Sequence, residues 1–135
     1  MATDFPELTG VQADLFEPTA DDLTPLVTPA EDDPRQGTVV ERARRFHARN
    51  PQVYRFAVRV ARYMKGKGLA RYSIKAVWEI MRFKYLESKG DIYKLNNSYT
   101  AFYAREIMAR ESDLAGFFTT RRGEHDDEYG TREVR

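Results

Sequence analysis

The chain has 135 residues, enough for one small domain, and its 8 Phe, 8 Tyr and 1 Trp provide the apolar volume of a compact core. It contains no cysteine, which excludes disulfide bonds and thiolate metal sites. There is no basic region followed by an apolar run at the start, and no apolar stretch long enough to span a bilayer. We therefore expect no signal peptide, no membrane contact and a cytoplasmic location.

The net charge of +1 conceals a strong separation of charge along the chain. Residues 1–40 contain nine acidic residues and one basic residue, whereas residues 41–122 contain 19 basic and seven acidic residues. Residues 123–135 contain five acidic and two basic residues. A basic excess of this size attracts polyanions such as nucleic acids, and the acidic ends could fold back and screen it.

Composition divides the chain into three parts. Residues 1–37 hold five of the six prolines and few clustered apolar residues, so we expect a disordered acidic N-terminal arm. Such an arm can be a docking motif, a cover for the basic surface or a solvating tail. Residues 38–122 are expected to form a basic helical domain, and residues 123–135 a disordered acidic tail.

Local signals predict the first two helices. Thr38 and Glu41 have the spacing of a capping box, in which each side chain accepts the other's backbone N–H. Asn50 and Pro51 separate the two helices, because a residue before proline avoids helical angles and proline suits the first helical position. The second helix carries apolar residues at helical spacing on one face.

The opposite face of the second helix carries Arg55, Arg59 and Arg62, which we call the arginine stripe. Single exposed arginines are usually only solvated. Three on one helix face without interleaved acids are suited to phosphate contact.

The third helix is predicted from Ser73, as its cap, to about Ser88, with Gly90 as its stop. One of its faces includes Trp78 and a nearly opposite one includes Phe83. A helix that is apolar on two sides is buried on two sides, so we expect this helix to be the central packing element.

The fourth helix is predicted to begin at Ser98. Apart from its core face, it carries Tyr99, Phe102, Arg105 and Arg110, a combination that a nucleic-acid recognition helix would present. The alternative is that the two aromatic rings pack under flanking strands and the arginines are solvated.

Residues 92–95 and 117–120 are predicted as short strands that pair beside the last helix. The fold class is therefore mainly α (α+β), with four helices, a small two-stranded sheet and a winged-helix-like arrangement. The connection between the last two helices is longer than that of a simple helix-turn-helix.

Three sequence patterns lie between Phe46 and Arg122. They are a Phe-His…Asn-Pro opening, a Ser-Ile-Lys helix start, and KLNNSYTAFYAREIMAR followed by DLAGFFTTRR. Together they resemble a family of small uncharacterised proteins of actinobacterial phages and prophages. The chain departs from that pattern at Glu106 and Ser112, where an apolar residue and proline are usual. The resemblance implies a phage or prophage origin and brings no activity or functional residues with it.

Residues suited to catalysis are sparse. The chain has no glycine-rich phosphate loop, and His47 has no metal-ligand partner at a suitable spacing. Asp91 and Lys94 resemble a fragment of a nuclease metal site, but more carboxylates would be needed. We therefore expect no enzyme, no cofactor and no metal.

These observations favour a nucleic-acid-binding protein, with DNA as the expected partner. The alternative is a protein–protein adaptor or inhibitor that acts on a host protein, for which the acidic arm would suit docking. The expected nucleic-acid contacts are Arg55, Arg59, Arg62, Tyr99, Phe102, Arg105, Arg110, Arg121 and Arg122.

Overall fold

A computed structural model of the protein describes residues 16–27 and 33–119, the second of which we call the body. Four α-helices and one two-stranded sheet make up the body, which confirms the expected mainly α fold with a small sheet. The elements are α1 (Val39–Arg49), α2 (Pro51–Gly66), β1 (Tyr72–Ser73), α3 (Ile74–Lys89), α4 (Thr100–Arg110) and β2 (Phe118–Thr119).

The beginning of α1 has the predicted capping box. The Glu41 backbone N–H donates to Thr38 Oγ1 at 3.1 Å, and the Thr38 N–H donates to Glu41 Oε1 at 2.9 Å. Asn50 lies between α1 and α2, and Pro51 is the first residue of α2, as the sequence indicates. Local signals thus define the first two helices correctly.

Helix α3 is the centre of the body and packs against both α2 and α4. Trp78 is 1% exposed, and its indole N–H donates to the carbonyl of Asn96 at 3.2 Å. The second apolar face of α3 is only partly covered, since Ile80 is buried while Phe83 is 48% exposed. The prediction of burial on two sides therefore holds for Ile80 and is wrong for Phe83.

One of the two predicted strands is confirmed, since β2 lies within residues 117–120, but its partner strand differs from the prediction. Strands β1 and β2 run parallel, with Tyr72 opposite Phe118 and Ser73 opposite Thr119. Residues 92–95 do not form a strand, because Tyr93 and Leu95 pack into the core instead of joining a ladder. The sheet therefore lies beside the α3–α4 helix pair, with one strand before α3 and the other after α4.

Helix α4 begins two residues later than predicted. No side-chain cap is present at the start of α4, and Asn96 instead caps the 3-10 turn that precedes it, since Asn96 Oδ1 accepts the Ser98 N–H at 2.8 Å. A 3-10 turn over Asn97–Tyr99 then leads into Thr100. This entry buries Tyr99 completely.

Candidate functional site on helix α2

The arginine stripe lies on the outer side of α2, as the periodicity predicts. Its three side chains are about half exposed, and the spacings of four and three residues separate them by about 6 and 4.5 Å along the axis. Each arginine nevertheless has a carboxylate partner within the chain. The stripe is therefore an ordered row of cation–anion pairs and not an open basic face.

Arg55 forms a two-pronged pair with Asp21. Its Nε donates to Asp21 Oδ2 at 2.8 Å and its terminal nitrogen donates to Oδ1 at 3.0 Å. These hydrogen bonds lower the pKa of the Asp21 carboxyl below its usual range. Both side chains are largely solvent-exposed, so the pair adds little to stability, about 0–1 kcal/mol.

Arg59 pairs with Asp22 in a different environment. Its Nε donates to Asp22 Oδ2 at 3.1 Å, and the Asp22 side chain is 0% exposed. The same oxygen accepts the Thr19 N–H at 2.9 Å, while the Asp22 N–H donates to Thr19 Oγ1. A buried carboxylate is costly without a charged partner, so the placement of Asp22 depends on Arg59.

Arg62 pairs with two carboxylates that lie about 50 positions later in the chain, within the body. Its Nε and terminal nitrogen donate to the two oxygens of Asp113 at 2.9 and 3.1 Å, and the terminal nitrogen also donates to Glu111 at 2.8 Å. Both carboxylates follow α4 directly. The partners of Arg62 therefore belong to the body, whereas those of Arg55 and Arg59 come from residues 16–27.

Residues 16–27, which we call the arm segment, are anchored by Phe16. This side chain is 4% exposed and lies between the rings of Phe56, at 6.2 Å, and Tyr63, at 5.6 Å. The guanidinium of Arg59 lies 5.4 Å from the centre of the Phe16 ring. Hydrophobic burial and a cation–π contact thus hold one end of the segment on α2.

Asn50 holds the other end of the arm segment. Its Oδ1 accepts the Val27 N–H at 2.7 Å and its Nδ2 donates to the Val27 carbonyl at 2.8 Å. Gln52 Nε2 adds a long contact of 3.4 Å to the carbonyl of Pro25. The buried amide of Asn50 therefore binds a backbone unit in the way that a neighbouring β-strand would.

The arm segment falls inside the stretch for which we expected disorder, and it instead packs against α2 through Phe16, Asp21 and Asp22. Its few apolar residues gave no periodic signal, and their partners lie more than 20 positions away. The opposite charges of the arm and the body were the only indication in the sequence that the two are in contact. The domain boundaries remain predictions, and residues 1–15, 28–32 and 120–135 lie outside the described residues.

The residues predicted on α4 do not form a recognition surface. Tyr99 is 0% exposed and Phe102 is 3% exposed, so the prediction that these two rings face outwards is wrong. Tyr99 packs 5.3 Å from the ring of Phe46 on α1, because the 3-10 turn directs it into the core. The alternative of packed rings is therefore correct, although Tyr99 packs against a helix and not against the predicted strands.

Arg105 and Arg110 are on the partly exposed side of α4. Arg110 pairs with Glu106 at 3.1 Å, and its guanidinium lies 5.6 Å from the centre of the Tyr54 ring. Arg105 is half-buried. The predicted contacts Arg121 and Arg122 lie outside the described residues.

The rest of the body is also basic. Residues 33–119 contain 18 basic and eight acidic residues, whereas the arm segment contains three acidic residues and no basic one. Several exposed basic side chains have no carboxylate partner within the described residues. They are Arg44, Arg71, Lys75, Lys89 and Lys94.

Within residues 16–27 and 33–119, no three His, Asp or Glu side chains cluster closely enough to hold a metal ion. None of the helices described has the length and apolar character needed to cross a membrane. Comparisons with protein-family models, with curated proteins and with solved structures found no match to this chain.

Proposed function

We propose that this chain is a nucleic-acid-binding protein, with DNA as its expected partner, and that the arginine stripe on α2 contacts the phosphate backbone. The observation that carries the proposal is the geometry of the stripe. Arg55 and Arg62 each hold a carboxylate through two parallel N–H···O bonds. Guanidinium groups bind phosphate oxygens with the same two-pronged geometry.

The balance of charge supports this proposal. The body has ten more basic than acidic residues, and several of its exposed lysines and arginines have no carboxylate partner within the described residues. Each phosphate that a basic side chain neutralises releases condensed counterions, so binding depends steeply on salt. At Arg55 and Arg62 a polyanion can replace the carboxylate partners, since exposed ion pairs contribute only about 0–1 kcal/mol each.

The proposed contact is to phosphate and not to bases. The two aromatic rings expected to stack on bases, Tyr99 and Phe102, are buried, and the proposal therefore omits them. Arg105 and Arg110 remain as further phosphate contacts from α4. Phosphate contacts position a protein on the duplex without reading its sequence, so binding should be largely independent of sequence.

The test is the salt dependence of binding to a short DNA duplex. The triple variant R55Q/R59Q/R62Q should weaken binding and reduce the slope of log K against log salt by about 3, because each lost phosphate contact removes about 0.9. The control K75Q/K89Q/K94Q removes the same charge from exposed sites away from α2. Equal losses in the two variants, or no binding by the parent protein, would contradict the proposal.

The resemblance to actinobacterial phage and prophage proteins adds a setting to this proposal, the cytoplasm of a bacterial host. A second candidate function is an adaptor or inhibitor of a host protein. The pocket around Phe16 and the Asn50 contact favour it, because they recognise a peptide and not a phosphate. The test adds a synthetic peptide spanning residues 15–28 to the F16A variant. This candidate requires that the peptide binds, and that a host protein, but not DNA, competes with the peptide for binding.

A further inference from the structure

We propose that the arm segment is a built-in competitor for the α2 surface. It occupies Arg55 and Arg59 in the free protein, and nucleic acid must displace it to reach them. This inference rests on the proposed function and adds to it a regulatory step at the same site. It assigns the arm segment the role of a phosphate mimic.

The two occupants exclude each other because they need the same hydrogen-bond donors. Asp21 takes two N–H groups of Arg55, and Asp22 takes the Nε–H of Arg59. A phosphate at either guanidinium would lie beside a carboxylate of like charge. Phe16, which lies against the Arg59 guanidinium, would also have to move from its position over α2.

The contacts of the arm segment are specific and not those of a diffuse acidic tail. An aromatic anchor at Phe16, a buried carboxylate at Asp22 and a backbone contact at Val27 fix its register along α2. Glu17 lies on the same segment, is exposed and forms none of the ion pairs found within the described residues. Charge alone therefore does not determine which arm carboxylates meet the stripe.

The body has the means to remain folded when the arm segment leaves. Helix α1 has its own capping box at Thr38, and the core around Trp78 is formed by helices of the body. Arg62 keeps Glu111 and Asp113, which belong to the body. Release of the segment would thus leave Arg55 and Arg59 without their carboxylate partners, while Arg62 would remain paired.

The experiment compares the parent protein and three variants, all full-length, for binding to a short DNA duplex at fixed salt. F16A removes the anchor, D21N removes the partner of Arg55, and E17Q removes the same charge from the same segment without breaking a pair. Phe16 and Asp21 belong to the arm segment, so the two variants leave the proposed DNA contacts unchanged. We expect D21N to bind about twofold to fivefold more tightly than E17Q, and F16A at least as tightly as D21N.

The outcomes separate this inference from the proposed function. Binding that is equally strong in all four proteins, or an equal gain in E17Q and D21N, overturns the competitor role and leaves nucleic-acid binding intact. Absence of binding by all four overturns both proposals. Circular dichroism of each variant checks that the body is folded. The separate variant F83A, which replaces an exposed phenylalanine, is the control for loss of an aromatic ring in F16A.

Discussion

The side-chain amide of Asn50 binds both backbone groups of Val27, at 2.7 and 2.8 Å, and so joins the end of α1 to a segment 23 residues earlier in the chain. Asn50 is 0% exposed and also donates to the carbonyl of Phe46 at 3.1 Å. One residue therefore ends a helix and fixes the arm segment on the body.

Replacing Asn50 by alanine should lower the free energy of unfolding by about 1–3 kcal/mol, because the arm segment loses both of its hydrogen bonds to Asn50 and the Phe46 carbonyl keeps only the backbone N–H of residue 50 as a donor. Urea denaturation measures the change, and limited proteolysis should show earlier cleavage near Val27. The control N97A changes an asparagine in the turn before α4 whose side chain makes only an exposed hydrogen bond, to Arg82. If the two variants shift the urea midpoint equally, Asn50 does not have this role.

The surroundings of His47 should make stability depend on pH. Its imidazole is half-buried between the rings of Tyr54, at 5.4 Å, and Tyr103, at 5.8 Å, and its Nδ1 has no hydrogen-bond partner among the described residues. Burial, followed by the charge of Arg110, lowers the pKa of His47 below its ordinary value of 6.5.

Because the folded protein holds this proton less tightly than the unfolded chain, protonation favours unfolding. The contribution of His47 to stability should be complete above pH 6.5 and should decrease as the pH falls from there to the lowered pKa. An NMR titration of the imidazole measures the pKa, and H47Q should flatten the pH dependence in this range. A pKa at or above 6.5 would contradict the prediction.

Tyr103 has a buried hydroxyl with no hydrogen-bond partner among the described residues, and burial raises its pKa. Its replacement by phenylalanine should raise the free energy of unfolding by about 1 kcal/mol, since an unpaired buried hydroxyl costs more than a hydrogen of the same ring. Tyr54 is the matched control, because its hydroxyl donates to Glu111 at 2.8 Å. Y54F should instead destabilise the protein, and a loss of stability in Y103F would show that the Tyr103 hydroxyl is satisfied.

Signals within a few residues predicted the helices. The capping box at Thr38, the break at Pro51 and the spacing of apolar residues on α2 and α3 all concern neighbouring turns, where periodicity and capping decide the structure. The fourth helix shows the limit of such signals. Its face with Phe102 also carries arginine side chains, so the pattern indicated an exposed face, and only tertiary packing determines that Phe102 is buried.

Contacts between distant parts of the chain could not be predicted in the same way. Strands β1 and β2 have two residues each, too few for a period to be recognised, and they pair across more than 40 positions. The partners of Arg55 and Arg59 lie 34 and 37 positions earlier, in a stretch of low hydrophobicity. The charge pattern predicted that the arm could screen the body, but not which residues meet.

Hydrogen exchange at the Val27 amide tests most directly whether DNA displaces the arm segment from α2. This N–H donates to the buried side chain of Asn50, so in the free protein it should exchange slowly while the arm segment is in place. When a short DNA duplex saturates the protein, we expect that the Val27 amide loses its protection while amides in α3 keep theirs. DNA bound at saturation with the Val27 amide still protected would contradict this prediction.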